Sequence, residues 1–280
     1  MSGPLYLARV PIQFSELARY AADRGWGWTP RKRSDGRETD AGFDAGRALH
    51  HVLDETFGPS MLKPFRLMVP RERDFGSVYA YTGKPKDDLL AIVAQTAVPE
   101  FAVDRILRLA GLDTKPMPET WTSGKRLGFD LRVRPVSRIR NALPNPNTKQ
   151  PAYKPGSEVD AFLIEAQRNY PDDRPRLVDG TPTASGMTLA GRDRPAVYCD
   201  WLATRLDGIA ELDHVRTDLT AFQRTRVSRG GASVEGPDAT FHGELTITDP
   251  DRFHALLARG IGRHLSFGFG MLLLRPPRRR

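Results

Sequence analysis

Between Lys125 and Arg140 the chain reads KRLGFDLRVRPVSRIR, with Phe129, Leu131 and Val133 alternating against Asp130, Arg132 and Arg134. A period of two puts the apolar side chains on one face of a strand and the charged ones on the other. The apolar face needs a cover, and the following segments supply it. AVYCDWLATRLDG is helical and closes at Gly208, HVRTDLTAFQRTRVSR and ATFHGELTITD alternate as paired strands, PDRFHALLARG is a short helix with an early proline, and FGMLLLRP is a last strand. The first half runs through the same order. LYLARVPI is a strand, FDAGRALHHVLDETFGPS spaces Leu49, Val52, Leu53 and Phe57 as one helical face, FRLMVPR and GSVYAYTG form a hairpin, KDDLLAIVAQTA is a second helix, and one more strand is expected from Ala102 to Leu109.

Two successive β-α-β-β-α-β units predict an α+β chain of tandem ferredoxin-like domains, divided as 1–124 and 125–280. Two stretches interrupt the pattern. Residues 24–43 are rich in glycine, tryptophan and charge and read as a basic insertion, a loop or flexible finger carrying Arg31, Lys32, Arg33 and Arg37. Residues 141–194 are a second insertion, rich in proline and glycine apart from the helical EVDAFLIEAQRNY.

The formal net charge of +8 is carried mostly by arginine, which favours a polyanion because a guanidinium binds phosphate bidentately. Arg132, Arg134, Arg138 and Arg140 line a strand and its exit, and Arg224, Arg226 and Arg229 alternate along a hairpin. A two-residue period places each set on one face, where it can track phosphates. The single cysteine, Cys199, excludes an internal disulfide, and the six histidines show no ligand spacing, so neither a metal nor a cofactor is expected. No apolar run approaches the roughly 20 residues of a bilayer span, and the opening residues lack a signal-peptide pattern; a cytoplasmic protein is expected.

One motif remains, GIGRHLSFGFG from Gly260 to Gly270, with Gly260, Gly262, Gly268 and Gly270 around Arg263, His264 and Ser266. It follows a helix and precedes a strand, the reverse of a Walker A loop, and lacks G-K-[ST]; a dinucleotide fingerprint would need glycine at Leu265. Its glycines imply a backbone at positive φ or in close approach to something.

The pattern G-h-G, five residues, G-h-G before the last strand resembles the repeat-associated superfamily of CRISPR proteins. With LYLARVPI, FDLRVRPVSRI, AVYCDWLATRL and FHGELTITDPDRF, the chain resembles the Cascade-type (type I-E, CasE family) CRISPR RNA-processing endonucleases, or a type IV relative with an arginine-rich finger. The resemblance implies a metal-independent endoribonuclease. It cuts CRISPR repeat RNA by attack of a 2′-hydroxyl on the adjacent phosphate, leaving a 2′,3′-cyclic phosphate and a 5′-hydroxyl. It then stays on the 3′ hairpin beside other effector-complex subunits. The family's catalytic histidine lies on the first helix with an aromatic residue seven positions on, which matches His50 and Phe57; His51 is its neighbour, and Arg47 stands where relatives carry tyrosine. Histidine, with an ordinary pKa of about 6.5, suits proton transfer in such a reaction, and arginine suits the charge on phosphorus. Relatives carry lysine at the place of Leu265. The same residues also fit a non-catalytic RNA-binding subunit, or a basic structural or DNA-binding protein.

Overall fold

The computed structural model describes residues 3–25, 28–32, 38–70, 72–96, 102–143, 153–169, 177–178, 181–182, 192–229 and 232–278. In the first half, β1 (Tyr6–Gln13) leads through α1 (Phe14–Asp23) and the ladder β2 (Trp28–Lys32) and β3 (Glu38–Phe43) to α2 (Ala45–Phe57). The hairpin β4 (Phe65–Met68) and β5 (Phe75–Thr82), then α3 (Lys86–Thr96), α4 (Ala102–Ile106) and β6 (Asp113–Pro116) complete it. The antiparallel sheet runs β4-β5-β1-β6, the ferredoxin-like order.

In the second half come β7 (Arg126–Val133), β8 (Val136–Arg138), β9 (Glu158–Asp160), α5 (Ala161–Asn169) and the short β10 (Leu177–Val178) and β11 (Thr181–Pro182). They are followed by α6 (Arg194–Leu206), β12 (Ala210–Leu212), β13 (Asp218–Arg229), β14 (Ala232–Ile247), α7 (Pro250–Arg259) and β15 (Leu272–Arg275). The sheet order β12-β14-β7-β15 repeats the first, with β13 also pairing β14. The fold is therefore the α+β pair of ferredoxin-like units expected from the repeated order.

The stripes read from the sequence are the cores. Leu49, Val52, Leu53 and Phe57 of α2 are buried against Val10, Val78 and Ala80 of the first sheet. Phe129, Leu131 and Val133 of β7 are buried with Leu202, Leu206, Phe253 and Leu257 of α6 and α7. Tyr81, on the far side of the first sheet, enters the second core and donates its hydroxyl to the Leu272 carbonyl at 2.9 Å, which ties the halves together.

Four local expectations differ from the structure. The helix α1 had no counterpart in the sequence reading; only Leu17 and Ala21 of it are buried, too few to make a visible stripe. Ala102–Ile106 is helical rather than a strand, and the strand that completes the unit is β6, whose residues DTKP show no alternation because they form an exposed edge. Residues 24–43, expected as a loop, contain the β2/β3 ladder. The strand expected to run through Arg138 stops at Val133, and β8 pairs instead with β9.

The glycine motif packs by necessity. Its four glycines all have φ of 80–81°. Gly270 donates its N–H to the Arg132 carbonyl at 2.7 Å, and a Cβ there would overlap both Leu265 Cδ2 and the Ile261 carbonyl oxygen. Gly270→Ala is expected to lower the unfolding free energy by about 2 kcal/mol or more, from positive φ plus overlap. Gly124→Ala, also at positive φ but with open space around it, is the control. Urea denaturation giving equal losses at the two positions would disprove the packing account.

Candidate functional site

Helix α2 begins where the Asp44 side chain accepts the Arg47 backbone N–H at 3.0 Å. Its buried stripe turns toward the sheet, so His50, one residue after Leu49, points about 100° away from it. At Gly46 a Cβ would overlap the carbonyl oxygen of Phe267, so the helix lies directly against the 3-10 turn Leu265–Phe267 of the glycine motif. The His50 ring meets Phe267 edge-on with centroids 5.6 Å apart, and the His264 ring lies 6.3 Å from Phe267. Between helix and turn is an open cleft of about 460 Å³ lined by His50, Lys63, Arg263, His264, Ser266 and Phe267. His51, whose ring centroid is 5.3 Å from that of His50, is not among the residues lining it.

The charges of the cleft are unevenly committed. Glu158 of β9 accepts from Arg263 Nε at 2.6 Å and contacts His264 Nε2 at 2.9 Å, with Arg138 at 3.8 Å. Burial works to raise the Glu158 carboxyl, but His264 and Arg263 outweigh it and hold the pKa below the ordinary value. Burial lowers the pKa of His264, against the pull of Glu158. His51 is also lowered, by partial burial and then by the charges of His50 and Arg47. His50 Nδ1 lies 3.5 Å from Asp54 Oδ2. Among the described residues Lys63 forms no ion pair, and its Nζ lies 3.5 Å from Ser60 Oγ.

Several expected phosphate contacts are engaged within the protein. Arg134 is 1% exposed, which corrects its placement on an RNA-facing surface: it donates to the Pro237 and Thr225 carbonyls at 3.2 and 3.0 Å, and burial lowers its pKa. Arg132 forms a bidentate pair with Asp238 at 2.8 and 2.6 Å and lies over the Phe269 ring. Arg224 donates to Glu235 at 2.8 Å. Arg138 and Arg140 are exposed at the β8 hairpin, on a different sheet from Arg132, so the four arginines do not share one strand face. Arg226 and Arg229 lie on β13 and Arg31 on β2, but their side chains fall outside the described residues, as do Arg33 and Arg37 altogether.

The sequence reading passed over Lys63, Glu158 and the role of Phe267. Lys63 carries no motif and lies about 200 residues from the turn it faces; Glu158 opens a helical-looking segment inside an insertion. The pairing of the two halves brings the glycine-rich turn to His50 and Lys63, while Glu158 meets that turn within the second half. Among the described residues no group of three or more His, Cys, Asp or Glu is placed to hold a metal ion, and no helix is long and apolar enough to cross a membrane.

No curated protein matches the chain in sequence. Among solved structures, it is similar to Thermus thermophilus Cse3 bound to an RNA representing a pre-cleavage complex, at 16% identity and TM-score 0.57, covering 98% of this chain and 100% of that one. A CRISPR endoribonuclease Cse3 bound to 19 nt RNA matches at 18% identity and TM-score 0.57 with the same coverage. Escherichia coli K-12 Cas6e matches at 18% and 0.53, covering 97% and 100%. At such identities the likeness establishes a shared fold. The family model of the CRISPR associated protein matches residues 5–276, nearly the whole chain. This chain, with its tandem ferredoxin-like units joined at α2 and the glycine motif, therefore belongs to the CRISPR associated protein family.

Proposed function

We propose that the protein is a metal-independent endoribonuclease that cuts CRISPR repeat RNA and keeps the product as a subunit of an effector complex in the cytoplasm. The observation that carries this reading is the cleft itself: an imidazole on α2 faces a cation and a glycine-rich turn across a solvent-open space. Family membership and a fold shared with RNA-bound endoribonucleases support it. In this reading residues 1–124 supply the cutting helix and residues 125–280 hold the RNA.

His50 takes the proton of the 2′-hydroxyl. The 2′-oxygen then bonds to the adjacent phosphorus, the bond from phosphorus to the 5′-oxygen breaks, and a water protonates the departing oxygen and regains its proton from the His50 imidazolium, which returns His50 to its starting state. The products are a 2′,3′-cyclic phosphate and a 5′-hydroxyl. Lys63 stabilises the charge that builds on the phosphoryl oxygens, because among the described residues it has no carboxylate to satisfy first; Ser266 donates a hydrogen bond to them. Arg47, on the same helix, adds positive potential, and His51, whose pKa is lowered by partial burial and then by the charges of His50 and Arg47, is the alternative base. Arg263 and His264 reach phosphate by exchanging Glu158 for it.

His50→Ala is expected to lower single-turnover cleavage of repeat RNA at least about a hundredfold, as for loss of a general base, with RNA affinity nearly intact. Assays contain EDTA, and a 2′-deoxy substitution at the scissile nucleotide serves as the uncleavable control. Full activity of His50→Ala would transfer the role to His51 or the arginines, and binding without cleavage by the native chain would favour a purely RNA-holding subunit. Lys63→Ala is expected to slow cleavage roughly tenfold to a hundredfold, with partial recovery in Lys63→Arg. An unchanged rate in Lys63→Ala would remove it from the mechanism. Sequencing the 3′ end of RNA copurified with the protein tests product retention.

A further inference from the structure

The far side of the first sheet, away from α2, carries two surfaces. At one end Leu5 and Tyr81 are buried in the second core. At the other end the face is open, and the strand register decides what it shows. Arg66 of β4 pairs with Tyr79 of β5, and Tyr79 pairs with Arg9 of β1, so a tyrosine stands between two arginines in one cross-strand row. Met68 and Ser77 form the next row, and Phe75 follows on the same face. Phe75 is 56% exposed and Met68 37%; with Val215 they are the exposed large hydrophobic side chains among the described residues. Two of those three line a single open cleft of about 630 Å³ together with Arg9, Arg66 and Tyr79. The Arg108 guanidinium lies over the Phe75 ring, 5.7 Å from its centroid.

The carboxylates around this face are engaged. Asp130 is held by Arg66 at 3.2 Å and His242 at 2.6 Å. Both oxygens of Asp74 are taken by the Ser15 backbone N–H and hydroxyl at 2.6 and 2.7 Å. Asp113, opposite Arg9 on β6, accepts the Thr114 N–H at 2.9 Å. An apolar protein segment laid here would cover Arg9 and Arg108 without supplying counter-charge, which is costly. Single-stranded RNA supplies planar bases for the rings and a phosphate for each guanidinium.

We propose that this open sheet face is a second RNA site, in which single-stranded RNA stacks bases on Phe75 and Tyr79 and sets its phosphates against Arg9 and Arg108. The proposal rests on the reading above only in taking RNA as the ligand. Strand β4 reaches both places, since Phe65 packs beside Gly268 of the glycine motif and Met68 lines the open face, so RNA leaving the cleft has a continuous edge to follow.

The test uses the full chain and a fluorescein-labelled, unstructured RNA of about ten nucleotides, within the span such platforms occupy. Phe75→Ala is expected to weaken binding at least about fivefold, Phe75→Trp to retain it, and Arg9→Ala to flatten the salt dependence. A 4-thiouridine version should crosslink to the peptide containing Phe75 and Tyr79. Unchanged affinity in Phe75→Ala and Arg9→Ala, or crosslinks confined to other peptides, overturns the proposal and leaves the face to a protein partner. Because the readout is binding of unstructured RNA, a failure here leaves repeat cleavage by His50 standing, and an active His50→Ala leaves this site standing.

Discussion

The molecule turns on one close approach of backbone to backbone. Where Gly46 meets the Phe267 carbonyl, helix α2 of the first unit and the glycine motif of the second come nearer than any side chain would allow. Each partner is fixed from behind: α2 by its buried stripe on the first sheet, the motif by positive φ and by the bond from Gly270 to the Arg132 carbonyl of β7. With both walls anchored in separate cores, the cleft holding His50, Lys63 and Ser266 is defined by two rigid bodies rather than by a loop.

The charged face of β7 is largely committed within the protein. Asp130 reaches across to the first half, while Arg132 and Arg134 are engaged inside their own unit. Arg66 of β4 reaches Asp130, Arg132 is bidentate to buried Asp238 and lies over Phe269, and Arg134 is spent on backbone carbonyls. Burial of so many guanidinium groups is tolerable because carboxylates or carbonyls meet them, and removing one partner would strand the other. A net charge of +8 therefore overstates what is available to a polyanion; among the described residues, Lys63 and the arginines of the far sheet face line open clefts, and Arg138 and Arg140 are exposed at the β8 hairpin.

Glu158 shows the same economy within the site. It holds both Arg263 and His264, which keeps a guanidinium and an imidazole of the cleft ordered by one carboxylate. Through Glu158 of β9, the segment 141–194 holds two side chains that line the cleft as well as interrupting the second unit.

What the order of amino acids settles by itself is periodic: the alternation of Phe129, Leu131 and Val133, the stripe from Leu49 to Phe57 and the repeated order of elements each name a buried face, because the period of a strand or helix is a local property. The same locality made His50 and the glycine motif visible, since each is read within a dozen residues. Two things had no local signature. An exposed edge such as β6 or a thinly buried helix such as α1 leaves no stripe, and a charged face looks alike whether it meets water or another domain. Only the tertiary structure decided that Arg134 is internal, that Lys63 faces the glycine-rich turn, that Glu158 holds Arg263 and His264, and that Phe75 stands exposed in a cleft shared with Arg9 and Tyr79, because those facts depend on contacts between residues far apart in the chain.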